Sequence, residues 1–169
     1  WAGRGLTFDG VESATGMHPL WLGLILPLFG GHLAPATRVT AVLSIATVLA
    51  GLTAFQTYRL AKRLLPNRAL AVLAAVVLSC NLWFIRESLN GLETALAICV
   101  LLLACEALLN YWDVPSRATA LRLGVMARLS FLARSDSLVV LLPAGLMLLA
   151  SREHRREIGM AAVITGSAV

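Results

Sequence analysis

Apolar stretches alternate with short polar joints along the whole chain, and every second joint is basic. Residues 1–17 are polar and rich in glycine (Gly3, Gly5, Gly10, Gly16), a composition that predicts an irregular loop. Pro19 to Leu33 is apolar but broken by Pro27, Gly30 and Gly31. At a rise of about 1.5 Å per residue it reaches roughly 22 Å, against a hydrocarbon core of about 30 Å. The pattern therefore predicts a short juxtamembrane or re-entrant helix there. Longer apolar segments follow at 36–58, 69–85, 92–111, 118–133 and 138–150, and a further one starts near Ile158. Together they predict an all-α, polytopic transmembrane helix bundle forming one partial membrane domain over 1–169.

The joints orient this bundle. Arg59, Lys62, Arg63 and Arg68, then Arg117 and Arg122, then Arg152, Arg155 and Arg156 fall on one side if each intervening segment crosses once. By the positive-inside rule that side is cytoplasmic. The opposite, outer face then carries the first loop, the Arg38 end, Arg86 to Gly91, and Arg134 to Ser137. A fully crossing 19–33 segment would move the first loop to the cytoplasm, so the charge pattern favours the re-entrant reading. Arg128 is expected to snorkel or face other helices, because a charge at mid-bilayer costs about 2.5–3.5 kcal/mol on insertion scales.

Composition agrees with lipid as the main solvent: 59% hydrophobic and only 14% charged residues, where soluble domains carry about 25% charged. Five or so spans use most of the 169 residues, which confines any chemistry to helix ends and loops. The net charge of +5 lies at the ends of apolar segments, where topology and anionic lipid account for it, and a nucleic-acid partner is not expected. Cys80, Cys99 and Cys105 sit in apolar runs without Cys-x-x-Cys or Cys/His spacing, so neither a disulfide nor a structural metal is implied.

Three polar clusters share the outer face. In Gly16-Met17-His18-Pro19-Leu20-Trp21, Pro19 and Trp21 suit a helix start at the headgroup level, while His18 suits an anionic oxygen at a helix N-terminus. In Arg86-Glu87-Ser88-Leu89-Asn90-Gly91-Leu92-Glu93-Thr94, Glu87 and Glu93 suit an acid/base pair or metal ligands. The alternative is a capped helix start, with Asn90 as cap and Glu93 three residues on. Arg134-Ser135-Asp136-Ser137 offers either a surface ion pair or a guanidinium fork for phosphate.

These clusters resemble a family. Gly5-Leu6-Thr7-Phe8 leading to Gly16-Met17-His18-Pro19-Leu20-Trp21, then Gly91-Leu92-Glu93-Thr94-Ala95-Leu96, then Phe131-Leu132-Ala133-Arg134-Ser135-Asp136 are similar, in order, to successive signatures of the GT-C fold glycosyltransferases. These include protein mannosyltransferase-like and arabinosyltransferase-like membrane enzymes. The resemblance implies transfer of a sugar from a polyprenyl-phosphate donor to an acceptor at the outer face of a bacterial inner or plasma membrane, with a divalent cation as a candidate cofactor. It implies substrate-binding roles for His18, Arg86, Glu87, Glu93, Arg134 and Asp136. In such families an acidic residue shortly after the first transmembrane helix is base or metal contact. That position is expected upstream of Trp1, so the isolated chain, which starts without methionine and ends in an apolar run, reads as an inactive fragment cut at both ends. Asp9, Glu12 and Glu93 are the weaker catalytic candidates. Pro19-Leu20 replaces a double proline, and Ser135 replaces the proline of an Arg-Pro-Asp signature.

Sugar transfer from a lipid phosphate develops positive charge on the anomeric carbon and negative charge on the leaving phosphate. The site therefore needs a carboxylate to activate the acceptor and cations, here Arg86 and Arg134, to receive the phosphate. Two other classes remain open from sequence: a transporter or flippase with Glu93, Glu106 and Arg128 along its path, and a non-catalytic structural membrane protein.

Overall fold

The computed structural model describes residues 18–29, 34–90 and 93–150. All regular structure among them is helical: α1 (Pro19–Phe29), α2 (Pro35–Leu64), α3 (Arg68–Ser79), α4 (Leu82–Leu89), α5 (Thr94–Asp113), α6 (Arg117–Ala133) and α7 (Leu138–Ala150), with a single 3-10 turn at Ser135–Ser137. The incomplete span expected near residues 158–169 lies outside the described residues, as do Asp9 and Glu12. Two helices, α2 and α5, are long and apolar enough to cross a membrane, and a third crossing arises if α3 and α4 count as one bent span. Large apolar side chains such as Val48, Val77, Leu142 and Met147 stand exposed on the bundle's surface. Lipid is the solvent that makes such a surface stable.

Helix α5 is the hub, packed mainly against α2 and α6. Its contact positions are small: Ala95, Ala104 and Ala107 are almost fully buried, as are Ala46 of α2, Ala71 of α3 and Ala120 of α6. Alanine lets helix backbones approach closely, and dispersion contacts rather than hydrophobicity drive that approach where lipid is the alternative. Two clusters result. Ala107 and Tyr111 pack with Ala120, Leu123 and Leu148 at one end of α5. Trp21 packs with Leu96 and Val100 at the other, flanked by Ile45, Leu49 and Leu129.

Many polar groups find partners within this bundle. Along α2 the hydroxyls of Thr40, Ser44, Thr47, Thr53 and Thr57 each donate to the carbonyl one turn earlier, so an apolar helix carries them without unpaired donors. Thr53, fully buried, also lies 3.3 Å from the Ala95 carbonyl. Further along, Arg59 pairs with Glu106, and Arg63 pairs with Asp113 and donates to Asn110 Oδ1 at 2.7 Å. The contacts advance in the same direction on both helices, so α2 and α5 run parallel. Arg68 Nε donates to the Tyr58 hydroxyl at 3.1 Å as α3 turns back along α2.

Several boundaries differ from the sequence expectation. Arg59, Lys62 and Arg63 belong to the last turns of α2, which stops at Leu64 ahead of Pro66. Acidic partners on α5 hold Arg59 and Arg63 there, and Glu106, unexplained by sequence, is the partner of Arg59. The apolar run 69–85 is two helices meeting at 56°. The Asn81 side chain accepts from Phe84 N at 3.0 Å and starts α4 afresh. Arg86, Glu87 and Ser88 therefore lie within a helix rather than terminating one.

Helix α1 spans eleven residues and has one end at Glu93, which pairs with His18, and the other under Arg38, whose guanidinium lies 5.8 Å from the Phe29 ring. The stretch of α2 from Arg38 to Thr53 is about 22 Å long, so α1 doubles back along the first half of α2. Thr53 meets the second residue of α5, which leaves that first half projecting beyond the start of α5.

Replacing Ala107 with leucine should wedge α5 from α6 and cost about 1–3 kcal/mol through overpacking. The check is a lower midpoint of thermal unfolding in detergent, with exposed Val77→Leu as the silent control.

Candidate functional site

The break between α3 and α4 creates the site. Because Asn81 restarts the helix at an angle, α4 anchors by Phe84 and Ser88, both buried and one turn apart. Glu87, next to Ser88, is brought to the inner side of α4 with its side chain about a quarter exposed. Its carboxylate accepts from Asn90 Nδ2 at 3.0 Å and lies 3.9 Å from Arg86 Nε. The Arg86 side chain is 75% exposed and stacks on Trp83, with 5.6 Å to the ring centroid.

The capping box expected from Asn90 and Glu93 does not form. Asn90 closes α4, and Glu93 occupies the N-cap of α5 without a side-chain bond to its own helix. Its carboxylate is taken by His18, with Nε2 to Oε1 at 3.1 Å. His18 is fixed in turn at the start of α1, where its carbonyl accepts from Leu22 N at 3.0 Å. The carboxylate is the more buried partner and the imidazole the more exposed. An imidazole oriented from behind by a carboxylate is equipped to hold or move a proton at its outer side.

Arg134 arrives from the third side. Helix α6 ends at Ala133, and Arg134 takes an extended backbone before the 3-10 turn. Its Nε donates to Asp136 Oδ2 at 2.9 Å. Both side chains are well exposed, so this pair orients the guanidinium more than it stabilises the fold.

These elements enclose a cleft of about 410 Å³, into which Glu87 and Arg134 both face, although far apart in sequence. Leu78, Phe84 and Ile98 form its apolar wall; Asn81, Trp83 and Thr94 complete the lining. Thr94 follows Glu93 directly, so the cleft borders the same end of α5 that carries the His18–Glu93 pair. Glu87 of the second cluster and Arg134 of the third thus meet in the cleft, and neither His18 nor Glu93 is among its lining residues. Arg86 and Asp136 stand at its margin, the first over Trp83 and the second bonded to Arg134. Sequence reasoning missed Asn81 and Trp83; an asparagine after Cys80 inside an apolar run was the available sign of a helix restart.

Among the described residues no group of three or more His, Cys, Asp or Glu side chains gathers as a metal site. Glu93 is committed to His18 and Glu87 to Asn90.

Residues 16–169 match the family model described as dolichyl-phosphate-mannose-protein mannosyltransferase. Neither the curated proteins nor the solved structures contain a significant match.

His18→Ala and Glu93→Gln should each lower thermal stability in detergent, and the double variant should fall short of their sum by about 1 kcal/mol, the coupling of residues in contact. Strict additivity would show that the pair is not formed.

Proposed function

We propose, for a chain that belongs to the dolichyl-phosphate-mannose-protein mannosyltransferase family of membrane glycosyltransferases, that the cleft binds a polyprenyl-phosphate sugar and transfers its sugar to an acceptor hydroxyl at the outer membrane face. Mannose is the sugar that the family description favours. The observation that carries the reading is the convergence of a guanidinium, Arg134, and a carboxylate, Glu87, on one cleft, with the His18–Glu93 pair at the start of α5, one of the helices that line it.

The chemistry follows from charge. As the bond from the anomeric carbon to the phosphate oxygen breaks, the electron pair stays with the phosphate, whose added charge a nearby guanidinium stabilises. Arg134, steadied through Nε by Asp136, takes this role, with Arg86 at the rim as a second cation. The acceptor hydroxyl loses its proton as its oxygen bonds to the anomeric carbon. His18, held by Glu93, accepts that proton, and Glu87 hydrogen-bonds sugar hydroxyls. Asp9 and Glu12 precede His18 in the same loop and remain candidates to share the proton transfer. The apolar wall excludes water, which would otherwise compete as acceptor.

A transport path has less support. Of the ionisable residues that would line it, Glu93 is paired with His18 and Glu106 with Arg59.

Glu93→Ala and Arg134→Ala should each lower transfer from mannosyl-phosphoryl polyprenol by about a hundredfold or more, with membrane insertion intact. Arg134→Lys should recover only part, because an ammonium lacks the fork. Unchanged turnover would remove these residues from the site. A cysteine at Ser135 should react with a membrane-impermeant maleimide added outside intact cells; labelling only after permeabilisation would contradict the outer-face assignment.

A further inference from the structure

Four cations gather where α2 gives way to α3, and two of them have acidic partners. Arg59 is paired with Glu106 and Arg63 with Asp113, both acids of α5. Lys62 and Arg68 are exposed, and among the described residues no carboxylate lies within ion-pair distance of either. Two positive charges at this end of the bundle are therefore not neutralised there.

Both stand at the head of an open groove of about 450 Å³ between α2 and α3. On α3 the groove is lined by Val72, Ala75 and Ser79, and Arg68 precedes Val72 by one turn on the same helix face. On α2 it is lined by Phe55 and Tyr58, and Lys62 follows Tyr58 by one turn. The two stripes end together, because Arg68 Nε donates to the Tyr58 hydroxyl at 3.1 Å. The groove's own lining carries no formal charge. Arg59, whose guanidinium lies 6.0 Å from the Phe55 ring, is taken by Glu106. The N-terminus of α3, capped by Asn67, adds its partial positive charge at the same end.

A concavity that is apolar along its length and cationic at one end complements an anionic amphiphile. We propose that the α2–α3 groove binds one anionic phospholipid, with an acyl chain along Val72, Ala75 and Ser79 and the phosphate between Lys62 and Arg68. The Tyr58 bond engages Arg68 through Nε and leaves the two terminal guanidinium nitrogens to the phosphate. It also holds the guanidinium at the groove's mouth, so part of the site is formed before lipid arrives. Leu78 and Asn81, which line the cleft, lie at the far end of α3, about 15 Å along the helix from Arg68. The phospholipid headgroup and the proposed sugar donor therefore occupy different places.

The test is native mass spectrometry of the full chain, delipidated in detergent and titrated with phosphatidylglycerol or with phosphatidylcholine of the same acyl chains. One phosphatidylglycerol should bind in preference to phosphatidylcholine. Lys62→Gln and Arg68→Gln should each weaken phosphatidylglycerol about fivefold, and the double variant should bind the two lipids alike. Arg117→Gln, at the start of α6 and outside the groove, is the control for charge. Ser79→Phe fills the groove from an exposed position and should weaken phosphatidylglycerol about tenfold, equivalent to losing roughly two buried methylene groups. Val77→Trp, exposed and outside the groove, should not. Equal binding of the two lipids by the wild type, an equal loss in Arg117→Gln, or full affinity in Ser79→Phe overturns the proposal in favour of lipid gathered by surface charge alone. Polyprenyl phosphate that binds more tightly than phosphatidylglycerol, and is lost with the same variants, overturns it in favour of a donor-type lipid.

Discussion

Close approach of α5 to its neighbours is the constraint on which the rest of the structure depends. In lipid an apolar side chain gains little by leaving one hydrocarbon surface for another, so helices associate through contact area and the few polar bonds made between them. Alanines at the buried positions of α5, α2 and α6 permit that contact. The Thr53 hydroxyl against the Ala95 carbonyl and the arginines of α2 against the acids of α5 set its register. Once α5 is seated, Glu93 has nowhere to go but the rim of the bundle, where His18 meets it.

The functional residues lie at interruptions of the helical pattern. Asn81 ends one helix and caps the next; Glu93 occupies a cap position but turns away from its helix; Arg134 sits where α6 gives way to a 3-10 turn. At such points backbone and side-chain polar groups are freed from the regular ladder and can face a ligand. Elsewhere lipid excludes such departures, because an unpaired backbone group in hydrocarbon is too costly. Polar side chains in such a bundle therefore gather where its helices end.

The same geometry gives the cleft and the groove between α2 and α3 different surroundings. Charged and hydrogen-bonding groups gather in the cleft, and the α2–α3 groove is apolar. The bend at Cys80 and Asn81 lies between them. Were α3 and α4 one straight helix, Phe84 and Glu87 would not turn toward Arg134.

Much of this was legible in the amino-acid sequence. Hydropathy alone determines a helical membrane protein, since only helices or closed barrels satisfy backbone groups in lipid and the apolar runs have helical length. Motif order likewise singled out His18, Glu93 and Arg134 as candidates for one site. Hydropathy could not reveal that the run 69–85 breaks, because both halves are equally apolar and the signal was a single asparagine. Nor could it distinguish Glu93 as a cap from Glu93 as the partner of His18: both uses fit the same spacing, and only the packing of α1 against α5 brings the imidazole within reach. Sequence determined which segments are helices and which of their ends carry polar clusters. Tertiary structure alone decided which ends meet, because short helices in lipid are ordered by contacts between residues distant along the chain.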